Sequence, residues 1–331
     1  MSNWNYNSGY GLAENIRINC QLPTMGKLLL VCPAADPNYD RYADIVKNDP
    51  DGKVRLFTTV AAAYAAATTN AHDVIALSAN ASHSITEMLT VSKNRVHFIG
   101  LDGGGRQTGH GARLVMGVTT AATDLACVKV TGVRCSFKNI KIESSNTKAE
   151  SLYALIDAGE YTRYENCSFL KLTDLDQATA ADVVAEGDST TWRNCEFGAA
   201  TLKSTAARPT MLIDKIVGST GMLDNNFFDC NFVSYTSAAA RFFIKVAAAG
   251  DGQRYAMFRG CTFFNWDLAA GGTTMTSAIY APSGSELGIT LDANCIVVGC
   301  TDIATSPNNV GVYINAAVPT ATTSGIAVNA S

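Results

Sequence analysis

The chain has 331 residues, enough to bury a sizeable core in one elongated domain or two compact ones. Only 16% of it is charged, below the roughly 25% of an ordinary soluble domain, and 25 Lys+Arg against 29 Asp+Glu leave a net charge of −4. No basic run tracks a phosphate backbone and no apolar stretch reaches the ~18 residues of a membrane span, so neither nucleic acid nor a membrane is expected as a partner.

The opening segment MSNWNYNSGYGLAENIR lacks the basic and apolar regions of a signal peptide, so synthesis in the cytoplasm without classical export is expected. Residues 1–53 contain the turn-rich stretches NYNSGYG, PAADPNYDRY and NDPDGK, belong to no repeat, and read as an arm or docking region. RLFTTVAAAYAAATTNAHDVIALS then predicts a short Ala-rich helix that starts near Thr58 or Thr59 on a hydroxyl N-cap and ends near Asn70. Strand-like VIALS (from Val74) and VHFIGL (from Val96) follow. The Gly-rich run DGGGRQTGHG, residues 102–111, lacks the G-K-[ST] ending of a phosphate loop and precedes no helix, so it reads as an excursion between strands.

From Phe137 onward one motif recurs: FKNIKI (Phe137), YENCSF (Tyr164), WRNCEF (Trp192), FFDCNF (Phe227), FRGCTF (Phe258) and VVGCTD (Val297). The variable period, between 27 and 39 residues, is that of a solenoid whose coils carry loops of unequal length. A second apolar stretch precedes each copy: CVKV, ALIDA, DVVAE, MLIDK, FFIKV and AIYAP. Each coil therefore reads strand, turn, strand, turn, strand. A straight strand would turn the cysteine of WRNCEF outward, whereas a bend at Asn194 resets the alternation and points both Cys195 and Phe197 into the core. The bend position is Asn139, Asn166, Asn194, Asp229, Gly260 and Gly299, residue types that tolerate the left-handed backbone. Beside it runs the file Ile140, Cys167, Cys195, Cys230, Cys261 and Cys300. An isoleucine fills the first place, so the file reads as small-hydrophobe packing, not a metal or redox centre. With no C-x-x-C among them, the ten cysteines are expected to be reduced. VGVYINA supplies a last rung, and residues 317–331 form a low-charge tail.

These rungs, the asparagine column and the entry FTTVAAAYAAATTNAHDVIAL…VHFIGLDGGG resemble the pectin-lyase-like superfamily over about residues 54–316. The resemblance implies an all-β fold, a single-stranded right-handed parallel β-helix solenoid whose open end is covered by the short N-terminal helix. It also implies relatives that are polysaccharide lyases, hydrolases or phage tailspikes, acting through paired carboxylates or a calcium cluster with a basic residue.

In this sequence Glu160 and Asp188 each follow a glycine at the same place in adjacent coils, a spacing that suits the acid and nucleophile of a retaining glycosidase. The plainer reading is that both decorate solvent-facing turns. Asp157 and Asp214 are read as sharing a column two rungs apart, and His72, His83, His97 and His110 receive no role. No cofactor or metal is expected. The first functional reading is a non-enzymatic bacteriophage virion protein, a capsid decoration or cement protein or a head fibre, homotrimeric and bound to a major capsid protein or another virion component. The second is a tailspike-like polysaccharide depolymerase using Glu160 and Asp188, and the third a non-catalytic receptor-binding module.

Overall fold

The computed structural model describes residues 16, 26–47, 54–79, 81–102, 111–117, 125–145, 151–172, 177, 179–201, 203–214, 222, 224–248, 251, 255–269, 272–282, 288–305, 312–315 and 327–328. Most of the Gly-rich run, residues 103–110, His110 and most of the tail lie outside them.

Three parallel sheets wind around one apolar interior. Among the described residues sheet A has 12 strands and sheets B and C have 8 each, and between Val74 and Asn315 neighbouring strands in every sheet come from successive coils. One coil runs Arg163–Glu165 in sheet A, Ser168–Lys171 in sheet B and Val183–Ala185 in sheet C, before Thr191–Arg193 returns to sheet A. Register follows the sequence repeat: Tyr164 pairs with Phe137 and Trp192, Phe169 with Ile142 and Phe197, and Leu155 with Val128 and Val183.

The bend falls where the sequence puts it. Asn139, Asn166, Asn194 and Asp229 have φ of 56°, 54°, 53° and 53°, and Gly260 has 61°. Asn166 Nδ2 donates to Asn139 Oδ1 at 2.8 Å and Asn194 Nδ2 to Asn166 Oδ1 at 3.2 Å, a side-chain ladder along the axis. Inside, Phe98, Phe137, Tyr164, Trp192, Phe227 and Phe258 form one stack, with neighbouring centroids 4.1–5.8 Å apart. Phe169, Phe197, Phe232 and Phe263 form a second stack at 4.6–5.3 Å. Stacked rings of this kind add to the burial energy of each aromatic.

Cys167, Cys195, Cys230 and Cys261 are buried free thiols in one file. The next member is Cys295, not Cys300, because Thr262 pairs with Ile296 and Phe263 with Val297. The turn of that last coil therefore belongs to LDANCIV, which carries one extra residue, while Cys300 begins a sheet C strand.

The helix Val60–Ala66 is capped by Thr59, whose Oγ1 accepts from the Ala62 amide at 3.2 Å, and Val60 and Ala63 enter the main core at the end of the solenoid. It ends at Ala66, earlier than Asn70. The boundary placed at residue 53 does not mark the edge of the sheet: Leu28–Val31 lies within sheet A, between Val54–Phe57 and Val74–Leu77. Its alternate residues Leu28 and Leu30 face outward, against the helix Tyr39–Lys47 through Tyr42, Ile45 and Val46. At the other end, Val312–Asn315 extends sheet A as a last parallel strand and pairs antiparallel with Ala327–Val328.

Candidate functional site

Glu160 and Asp188 pair as a parallel bridge in adjacent coils, as their spacing requires, with backbones about 4.8 Å apart. What surrounds them is a second turn column, between sheets C and A. Arg95, Arg134, Tyr161, Ser189 and Asp224 all have left-handed backbone, with φ from 51° to 58°. The Arg134 amide donates to the Glu160 carbonyl at 2.8 Å and the Tyr161 amide to the Asp188 carbonyl at 2.7 Å. Glu160 is exposed and Asp188 half-buried. Their main chains thus carry the ladder that joins one coil to the next, and Glu160 points to solvent from it.

Asp157 and Asp214 do not share a column. Asp157 aligns with Val130 and Ala185, and Ala185 aligns with Ile213, so Asp214 lies one residue further along. Alternation then sends the two carboxylates to opposite sides. Asp157 is buried in the interior, where the Tyr164 hydroxyl donates to Oδ1 at 3.0 Å and the Thr190 hydroxyl to Oδ2 at 2.9 Å. Burial pushes its pKa up to about 7 against the pull of both hydroxyls. A Cβ on Gly187 would lie 2.9 Å from Asp157 Oδ2 and 2.3 Å from the Gly159 carbonyl, so only glycine fits above this carboxyl.

Asp214 stands on the outer face of sheet C, and the residue in register with it one coil earlier is Glu186, which is buried. Tyr153 lies on the same face: burial, and then the charges of Asp214 and Glu186, push its phenol up to about 12. Ile156, Val184 and Leu212 make the floor of this face, and all three are buried. Two carboxylates thus stand one coil apart on this face, with the Tyr153 phenol toward the other end of the same apolar floor. Sequence reading missed this set. The signal was in the DVVAE and MLIDK segments, which place Glu186 and Asp214 each one residue past an inward position.

Two of the histidines, His72 and His97, are also brought together, whereas His83 lies against the Ser78 carbonyl. His97 Nδ1 lies 2.7 Å from Ser136 Oγ, and His97 Nε2 lies 3.0 Å from His72 Nδ1. Burial, and then the neighbouring His72, lower the His97 pKa to about 4, leaving the ring a weak base at neutral pH. On the outside of sheet A, Lys138 pairs with Glu165 at 3.0 Å, and the guanidinium groups of Arg193 and Arg259 lie 5.1 Å and 5.5 Å from the Phe228 ring. That outward column fastens neighbouring rungs. Among the described residues, no group of three or more His, Cys, Asp or Glu is arranged to hold a metal ion.

The sequence matches no protein-family model and no curated protein. Solved structures do match. Pectin methylesterase from Aspergillus niger aligns at TM-score 0.54 and 14% identity, over 87% of this chain and 83% of that one. A variant pectin methylesterase in complex with a hexasaccharide aligns at 0.54 and 14%, over 88% of each chain. Pectin methylesterase from Erwinia chrysanthemi aligns at 0.53 and 13%, again over 88% of each. At such identity the likeness is one of architecture, and with the three sheets and the asparagine ladder it makes this chain a right-handed parallel β-helix of the pectin-lyase-like fold.

Proposed function

We propose that the chain is a non-enzymatic structural component of a bacteriophage virion, a capsid decoration or cement protein or a head fibre, packing side by side as a homotrimer against a major capsid protein. The observation that carries this reading is the outer face of sheet B. Its N-terminal rungs carry Arg113, Val115, Lys141 and Glu143, the last of them buried, whereas its C-terminal rungs carry Phe264, Ile296 and Val298, with Trp266 in the short helix Trp266–Ala269 that follows Phe264. Trp266 is 45% exposed and Ile296 56% exposed, and the Phe264 and Trp266 rings meet edge to face at 5.2 Å. Charge-poor apolar surface costs little to desolvate and is typical of interface cores. Light scattering on the purified protein tests it. A trimer is expected for the wild type and a folded monomer, with unchanged far-ultraviolet circular dichroism, for Trp266→Glu with Ile296→Arg. A wild type that stays monomeric and leaves capsids unbound overturns the proposal.

A second reading, an enzyme acting on a polysaccharide, is favoured by Glu186, Asp214 and Tyr153 on the outer face of sheet C and by the architecture shared with pectin methylesterases. Under it, new reducing ends appear with acidic polysaccharides, or released methanol with methyl-esterified ones, and are lost in Glu186→Gln and Asp214→Asn. Loss in Glu160→Gln or Asp188→Asn instead would return the chemistry to the turn column.

A further inference from the structure

At the corner where sheet B passes the chain to sheet C, the interior changes from apolar to charged. The inward column that begins Ile85 and Met116 continues as Ser144 and Lys171. Lys171, Arg208 and Arg241 come from three successive coils and are only 1%, 5% and 3% exposed. Asp182, also buried, brings a carboxylate to them: its Oδ1 accepts from the Lys171 amide at 2.7 Å, and its Oδ2 lies 3.8 Å from Arg241 Nη2. Lys171 Nζ donates to Ser144 Oγ at 3.3 Å, and Arg241 Nη2 to Thr210 Oγ1 at 3.4 Å.

Arg208 is served differently. Its Nη2 donates to the Lys171 carbonyl at 2.9 Å, while its Nε and Nη1 are buried without a hydrogen-bond partner. A guanidinium does not shed its proton, and a buried cation with unmet N–H groups is strongly destabilising. Burial, and then the charge of Arg208, bring the Lys171 ammonium down to about 8 despite the pull of Asp182, as an excess of positive potential at this corner requires.

The geometry points to a buried oxyanion site, in which a phosphate or sulfate ion is held at one edge of the Arg208 guanidinium, through an N–H group that has no partner in the protein, within the positive field of Lys171 and Arg241. An edge of a guanidinium offers two parallel N–H groups, here Nη2 with either Nε or Nη1, which match two oxygens of an oxyanion and not a halide. The ion would fasten the segments leading out of sheet B to those entering sheet C across three coils. This role is independent of whether the outer faces assemble or catalyse.

The test uses protein purified and dialysed in chloride buffer, then denatured, with the released ions separated by chromatography. About one phosphate or sulfate per chain is expected. In thermal unfolding at constant ionic strength, the midpoint rises and saturates with phosphate or sulfate, and stays unchanged with acetate in their place. The two arms identify which ion the site takes. Arg208→Met loses the retained ion and the saturable shift, whereas Arg113→Gln, on the outer face of sheet B, keeps both. Should Arg208→Met not fold, the ion content and saturation of the wild type decide alone. Denatured wild type that releases neither ion, together with a shift that is linear in salt, overturns the site.

Discussion

Asp157 occupies an inward position that Val130 and Ala185 fill in the coils on either side, so its carboxyl group is removed from water. In an unfolded chain an aspartate ionises near 3.9, while in the fold this one holds its proton to about 7. Between those values the unfolded chain has lost a proton that the native state keeps, so stability falls as pH rises through the window and levels off above it. Asp157→Asn keeps an acceptor for the Tyr164 hydroxyl and removes the charge. Urea unfolding at pH 4.5 and 8 should show a smaller loss in the variant than in the wild type, by on the order of 2 kcal/mol or more. Equal pH dependence in the two would contradict the assignment. His97 acts in the opposite direction, since below about 6.5 the unfolded chain gains a proton that His97 refuses until about 4. The difference between variant and wild type isolates the aspartate from it. At this scale the sequence was partly legible. The glycine offset paired Glu160 with Asp188 correctly, but the shared letters LID in ALIDA and MLIDK misled, because those strings sit one residue out of register. In a strand that slip exchanges inside for outside, which hid Asp214 beside Glu186.

The turns show why some elements can be read and others cannot. The bend between sheets A and B announces itself by Asn, Asp and Gly, which accept a positive φ at low cost. The turn between sheets C and A has the same backbone on Asp224 but also on Arg95, Arg134, Tyr161 and Ser189, residue types that give no hint of it. There the conformation is imposed by main-chain bonds between coils, such as Arg134 N to Glu160 O, and propensity is overruled. Asn194→Ala removes both the tolerant residue and its bond to Asn166. It should cost about 2–3 kcal/mol in chemical denaturation, from the left-handed penalty and one lost hydrogen bond, and a cost below half of that would deny the ladder its structural part. The helix Tyr39–Lys47 was legible in principle, since Tyr42, Ile45 and Val46 follow helical spacing. It was obscured by the turn-forming run PAADPN that precedes it. The last coil was misplaced because the extra residue in LDANCIV breaks the motif on which the copies align.

Over the whole molecule, each coil touches mainly the coils above and below it, so stability is close to a sum of neighbour terms and the ends open before the middle. The file of thiols turns that property into something chemistry can record. The thiols of Cys195, Cys295 and Cys300 are all pushed up from their ordinary value, so access decides their reactivity: Cys195, in mid-file, is fully buried, whereas Cys295 and Cys300, near the last coil, are only half-buried. Iodoacetamide labelling followed by peptide mass spectrometry should therefore modify Cys295 and Cys300 first and Cys195 last. Simultaneous alkylation of all three would mean that the rod opens as a single unit. Five sulfur atoms from Cys167 to Cys295, spaced along the axis, make an intrinsic ruler of fraying that needs no engineered probe.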